Sequence, residues 1–159
     1  MGWSYPLNSP TVYRRISNGF KDSHKGLDIV SNTSTSINGQ TIKSPTSGTV
    51  KKSGEDPDAG YYVLIETNST DPYNNQKIRF GVQHMQAEYT GPTAVTTSTV
   101  LGKVGTTGES STGYHLHMFM RSDGKEWTSR PGRCINPQAF FPNVTFTGST
   151  SNKLHIIYP

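Results

Sequence analysis

Histidine is scarce in this chain, five in 159 residues, and three of the five stand where their spacing could do chemistry. His24 lies in Ser23-His24-Lys25-Gly26-Leu27-Asp28-Ile29-Val30, an imidazole with a carboxylate four positions on. On a helix the two would share a face, but Gly26 and the β-branched pair Ile29-Val30 favour a turn running into a strand. Such a pair converges around a bound ion or through a direct hydrogen bond, or else remains a surface ion pair. His115 and His117 lie two apart in Tyr114-His115-Leu116-His117-Met118-Phe119-Met120. In a strand they project to one side while Leu116 and Met118 face the other. Two neighbouring imidazoles are costly to desolvate without a purpose, and a metal supplies one. His84 ends the strand-like run Phe80-Gly81-Val82-Gln83-His84 and, taken alone, reads as a partly exposed residue with a satisfied ring. His155 has no partner in sequence and reads as structural or exposed.

Cys134 is the only cysteine, so neither an internal disulfide nor a multi-thiolate metal site is available. No local signature surrounds it, and it reads as a small buried thiol. Any metal is therefore held by His, Asp or Glu. Catalytic zinc takes three protein ligands and leaves a fourth position to water. Two neutral imidazoles and one carboxylate leave that ion enough positive charge to polarise a carbonyl and to acidify its water, while a further histidine or two handle the proton.

The elements that must position these residues are short strands. Thr49-Val50-Lys51, Tyr61 to Glu66, Lys77 to Val82, Val100 to Val104 and Leu116 to Arg121 are strand-like, separated by Pro, Gly, Asp and Asn clusters at 54–60, 68–75 and 105–113. Extended chain with a hairpin around Ser17-Asn18-Gly19 is expected at the start. Helical periodicity is confined to a turn or two at Pro137-Gln138-Ala139-Phe140-Phe141, capped by Asn136. Leu154 to Tyr158 follows a Gly/Ser/Thr/Asn stretch at 148–153 and reads as an edge strand or a tail. The pattern predicts an all-β, single-domain chain over 1–159, an antiparallel sheet or barrel. Composition agrees: hydrophobic residues are 31% and aromatic residues 10%, and Ser and Thr make up about a quarter of the chain, which implies a thin core but not a disordered coil.

Charge excludes some partners. The net charge of +4 and pI near 9.2 tolerate anionic surroundings, but the basic residues are scattered and form neither an Arg-rich helix nor an aromatic-and-basic RNA-binding pattern. No nucleic-acid partner is expected. No apolar run approaches the roughly 18 residues of a membrane span, and no basic segment leads into a signal-type apolar region. Gly102 to Gly113 matches neither a Walker A motif nor a dinucleotide fingerprint, and its expected role is to turn tightly and present His115 and His117.

Placed side by side, His24-Lys25-Gly26-Leu27-Asp28, His84-Met85 and the Gly-rich run into His115-Leu116-His117 resemble the lysostaphin-type, LytM-like zinc endopeptidases, hydrolases of peptidoglycan peptides. Ser44-Pro45-Thr46-Ser47-Gly48-Thr49-Val50 resembles that family's hairpin before its second strand, and Ile135-Asn136-Pro137 its C-terminal turn. The resemblance covers about 15–141 and leaves 142–159 as a C-terminal extension. It implies one zinc ion per chain held by His24, Asp28 and His117, with His84 and His115 as catalytic histidines beside it. It also implies a two-layer antiparallel β fold with long loops walling a narrow groove. Two departures stand out: Val82 occupies a place the family usually gives to an aromatic, and no tyrosine lies close upstream of His24. Tyr13 could assist the transition state only if its loop folds back. Lengthened loops at Asp56-Pro57-Asp58, Asn68 to Gln76 and Gly124 to Arg133 are expected to line the groove.

The implied activity is zinc-dependent hydrolysis of a cross-bridge or stem-peptide bond in bacterial peptidoglycan by a monomer acting at the cell wall, as a secreted domain or a phage-borne lysin. A non-catalytic wall-binding or regulatory module of the same fold is the alternative, although such relatives typically lose zinc ligands. A zinc carboxypeptidase or dipeptidase of related type would space its first His and Asp more widely. Glycosidase chemistry needs two carboxylates flanking the sugar, and only Asp28 lies inside a motif.

Overall fold

In the computed structural model, residues 3–127 and 132–149 are described, with the backbone alone of 155–158. Alternation of buried apolar and outward polar residues builds the strands around the metal-motif residues. In β2 (Leu27–Val30) Leu27 and Ile29 are fully buried while Asp28 points to the opposite face. In β9 (Leu116–Arg121) Leu116, Met118 and Met120 enter the core, so His117 shares the face of Asp28. The two strands pair antiparallel with Asp28 opposite His117. The other long edge of β9 pairs with β6 (Lys77–Met85), Gln83 opposite His117.

From β6 the sheet continues through β5 (Gly60–Thr70) and β4 (Gly48–Asp56) to the short β7 (Ala94–Val95). On the far side of β2 lie β1 (Arg15–Asn18) and then β11 (Thr147–Gly148), the latter parallel to β1. Strand β10 (Gly132–Ile135) joins the end of β9 and carries β12 (His155–Tyr158) outside it. A second layer is the two-stranded sheet of β3 (Thr41–Lys43) and β8 (Val100–Lys103), whose Ile42 and Leu101 join the same core as Phe80, Val82 and Ile65. The architecture is thus the expected all-β, two-layer one, but the large sheet ends at β11 and β7 and does not close into a barrel.

The one helical turn among the described residues is a 3-10 helix at Pro137–Phe140, with the Asn136 side chain accepting from Gln138 N at 3.1 Å as the sequence anticipates. Residues beyond 141 are integral to the unit: Phe146 packs on Tyr5 and β11 extends the sheet. Of the C-terminal run, His155 to Tyr158 is the anticipated strand, while 150–154 lies outside the described residues.

Two expectations about loops are corrected. Of Asn68 to Gln76, 68–70 are the end of β5 and 71–76 turn into β6 at the end remote from His84, more than about 20 Å along β6 from it. Its Asp71 is fully buried and accepts from Arg133 Nε at 2.5 Å and Ser122 Oγ at 2.7 Å, which ties the loop to β10 and does not make it a wall of the centre. Tyr13 is buried in the core with its carbonyl accepting from Tyr5 Oη, so its ring does not fold back toward the histidines. The 124–133 loop is described only to Trp127, whose ring lies against Tyr62 with 5.0 Å between centroids; 128–131 lies outside the described residues.

Candidate metal centre

The Asp28 carboxylate is the hub of the site. Its Oδ1 stands 2.7 Å from His117 Nδ1 and 3.5 Å from His115 Nε2, and its Oδ2 stands 3.3 Å from His24 Nε2. His84 completes the cluster, its ring centroid 5.2 Å from that of His115 and 5.9 Å from that of His117. All five residues singled out in the sequence therefore meet, although they come from three separate segments of the chain.

Backbone carbonyls set the direction of three rings. His24 Nδ1 donates to Gly19 O at 3.0 Å, His84 Nδ1 to Thr107 O at 2.7 Å and His115 Nδ1 to Gly113 O at 2.7 Å. A carbonyl only accepts, so each Nδ1 carries the proton and each Nε2 keeps a lone pair. These outer contacts are the kind that orient metal-binding imidazoles. His117 differs, turning Nδ1 toward Asp28.

His24, Asp28 and His117 each offer a ligand atom, and the three atoms lie within 4.8 Å of one another. Bonds of about 2.0–2.2 Å in a tetrahedron separate ligands by about 3.4 Å, so this donor set fits zinc in chemistry and in spacing. The charge pattern agrees. Burial would raise the Asp28 carboxyl, but hydrogen bonds from His117 and His24 and the neighbouring imidazoles hold it far below the usual carboxylate range. Burial lowers His117 in spite of Asp28, whereas on the half-buried His24 the contact and charge of Asp28 outweigh desolvation and raise it. Burial brings His84 down to about 4, keeping its ring neutral.

Close approach explains the glycine between His24 and Asp28. A Cβ on Gly26 would lie 2.6 Å from His117 Cε1 and 2.9 Å from Met118 O. Backbone strain marks the other histidine: His84 has φ +61°, one of two non-glycine residues with positive φ among those described, and its N donates to Ala59 O at 2.8 Å. The Gly-rich loop does more than present His115 and His117, since Thr107 anchors His84 by its carbonyl and reaches Met85 O with Oγ1 at 2.6 Å. Gly19, Ala59, Thr107 and Gly113 hold the histidines through backbone carbonyls, which leave no side-chain signature; the glycine density of 102–113 is the one hint in the sequence.

A family model described as Peptidase family M23 matches residues 22–129, which contain every residue of the cluster. The chain belongs to that peptidase family. Among solved structures this M23 chain is similar to a zinc-containing peptidase from Vibrio cholerae, with 26% identity and a TM-score of 0.59, covering 76% of this chain and 36% of that one. It shares its fold with the catalytic domain of the antimicrobial peptidase lysostaphin from Staphylococcus simulans, at 21% identity and TM-score 0.56 over 81% of this chain and 87% of that one. The SpoIIIAH and SpoIIQ complex contains the same fold, at 21% identity and TM-score 0.65 over 88% of this chain and all of that one. The chain spans less than half the length of the first of these relatives. No curated protein matches it.

Proposed function

We propose that this M23 domain is a zinc-dependent endopeptidase that hydrolyses an amide bond in the peptide part of bacterial peptidoglycan, in a cross-bridge or a stem. The observation that carries the reading is a complete division of labour within one cluster: three donors converge for an ion, and two further imidazoles flank them with Nε2 lone pairs free. His24, Asp28 and His117 would hold the zinc, which supplies Lewis acidity toward water and toward the amide carbonyl. His84 and His115, fixed by Thr107 O and Gly113 O, accept and return protons at Nε2, one toward the attacking water and one toward the leaving amine. Burial keeps the His84 ring neutral, so its Nε2 is unprotonated at physiological pH.

A cleft of about 430 Å³ opens beside the cluster, lined by Ser17, Asn18, Val30, Thr112 and Tyr114 together with Asp28 and His115. Its small polar lining suits an extended peptide of small residues better than a bulky apolar side chain. A non-catalytic module has no use for His84 and His115 held in this way, and their retention favours the enzyme.

Elemental analysis of protein purified without added metal should give one zinc per chain. Purified walls digested with the protein should release free amino groups, and a chelator should stop that release. New reducing sugar ends without new amines would refute the peptidase reading.

A further inference from the structure

The cleft beside the metal centre does not end at Tyr114. Beyond Tyr114 and Val30, which line both, a second hollow of about 260 Å³ continues along β2, bordered by Arg15, Ser31, Thr33 and Ile37. Local bonds fix its wall: Thr33 N donates to Ser31 Oγ at 3.0 Å and Thr35 N to Thr33 Oγ1 at 3.2 Å, so these hydroxyls are engaged within their own loop. Among the described residues lining cleft and hollow, Asp28 is the only carboxylate, already assigned to the zinc, and Arg15 is the only lysine or arginine.

Strand register aims Arg15 into this groove. It stands opposite Val30, and Val30 shares the face of Asp28, two residues away on β2. Arg15 Nε donates to Ser31 O at 3.2 Å, which lays the side chain along β2 and leaves both Nη groups without a hydrogen bond or ion pair among the described residues. Other arginines are committed: Arg79, Arg121 and Arg133 each meet a carboxylate, and Arg14 Nη1 donates to Thr145 O at 3.1 Å. A guanidinium whose outer nitrogens are both free presents two parallel donors, the geometry that matches a carboxylate.

Resting on the peptidase reading, we propose that Arg15 is a specificity-determining residue that binds a free carboxylate of the wall peptide about three residues from the scissile bond. Spacing gives the count. Two residues of β2 separate Asp28 from the partner of Arg15, and Ser31, one further on, holds the guanidinium, which is about 10 Å along the strand or three residues of an extended peptide. Stem peptides carry free carboxylates on side chains and at chain ends, whereas the interior of a glycine cross-bridge carries none. The substrate class is therefore the stem.

The test uses purified walls whose amines have been acetylated, one portion then treated with carbodiimide and ammonia so that its carboxylates become carboxamides. On the amidated walls the zinc-loaded wild type is expected to show a KM about 10-fold higher with kcat little changed, read by amine release. Arg15→Gln is expected to show that higher KM on both kinds of wall, with zinc content and melting temperature at wild-type values. Lys77→Gln, which removes an equal charge from the exposed start of β6, is expected to behave as the wild type. Because Arg15 is exposed, added salt should shrink the wild-type preference for untreated walls. Tandem mass spectrometry of fragments from untreated walls should place a carboxylate about three residues from each new amine, and it tells a side-chain carboxylate from a chain end. Equal wild-type KM on the two walls, an Arg15→Gln effect reproduced by Lys77→Gln, a loss confined to kcat, or cuts within runs of glycine would each overturn the assignment. Should the wild type release no amines from any wall, the peptidase reading fails separately. Cosedimentation with the two kinds of wall then decides the role of Arg15, which is overturned if wild type and Arg15→Gln bind untreated walls alike.

Discussion

Replacing Gly26 with alanine is the smallest change that reaches the metal centre without altering any of its donors. The backbone at Gly26 is compatible with any residue, so the cost lies in space and not in conformation. The added methyl would meet His117 Cε1 at 2.6 Å and Met118 O at 2.9 Å, where ordinary contacts begin near 3.4 Å. Met118 is the ladder partner of the adjacent Leu27, so its carbonyl is fixed by the sheet and the imidazole must give way. A retreat of about 0.8 Å takes His117 Nδ1 off its 2.7 Å contact with Asp28. A displacement near 1 Å in an active site costs about 10²-fold in rate, and disturbed ligand orientation costs about 10- to 100-fold in metal affinity. Overpacking of this size also costs about 1–3 kcal/mol of stability, a drop of several degrees in melting temperature for a domain this long. Zinc affinity is measured by competition with a chromophoric chelator, activity by amine release from purified walls, and folding by circular dichroism. A folded Gly26→Ala variant with wild-type zinc affinity and wild-type kcat/KM would refute the claim that this glycine makes room for the His117 ring.

Changing His84 to Ala should abolish turnover and leave one zinc bound, whereas changing His117 to Ala should lose both, as read by elemental analysis beside the amine assay. Asp71→Asn should lower stability by about 3 kcal/mol in chemical denaturation, because it breaks a buried ion pair with Arg133 far from the centre, while specific activity of the folded protein stays unchanged. The Asp71 carboxyl, which burial would raise, is brought down to about 2 by the hydrogen bonds of Arg133 and Ser122. Its contribution is therefore present above the unfolded value near 4 and is lost as pH falls from about 4 through about 2, and the acid limb of the stability curve should be shallower in Asp71→Asn. Stripping zinc with a chelator should lower the melting temperature without abolishing the β-sheet spectrum, and titrating zinc back should restore it in proportion to occupancy.

The candidate site was legible in the sequence because it gathers rare residue types, most of them at short spacings. His24, Asp28, His115 and His117 stand out by residue type and spacing, His84 joins them only through the family resemblance, and alternation puts His115 and His117 on one side of their strand. The 3-10 turn after Asn136 is equally local, set by a capping side chain and a proline. Other features needed the tertiary structure because they are made by contacts between residues far apart in the chain, or by backbone atoms that every residue carries. The carbonyls of Gly19, Thr107 and Gly113 fix three imidazoles, yet nothing in those residue types announces it. Tyr13 went to the core and the Asn68 to Gln76 loop to a buried ion pair, since burial depends on neighbours that spacing does not reveal. The register shift in β1 is the sharpest case: the residues Ile16, Ser17 and Asn18 are consistent with plain alternation, and only pairing against β2 turns Asn18 toward Asp28. Side-chain identity fixed which groups could react, and strand register decided which of them met.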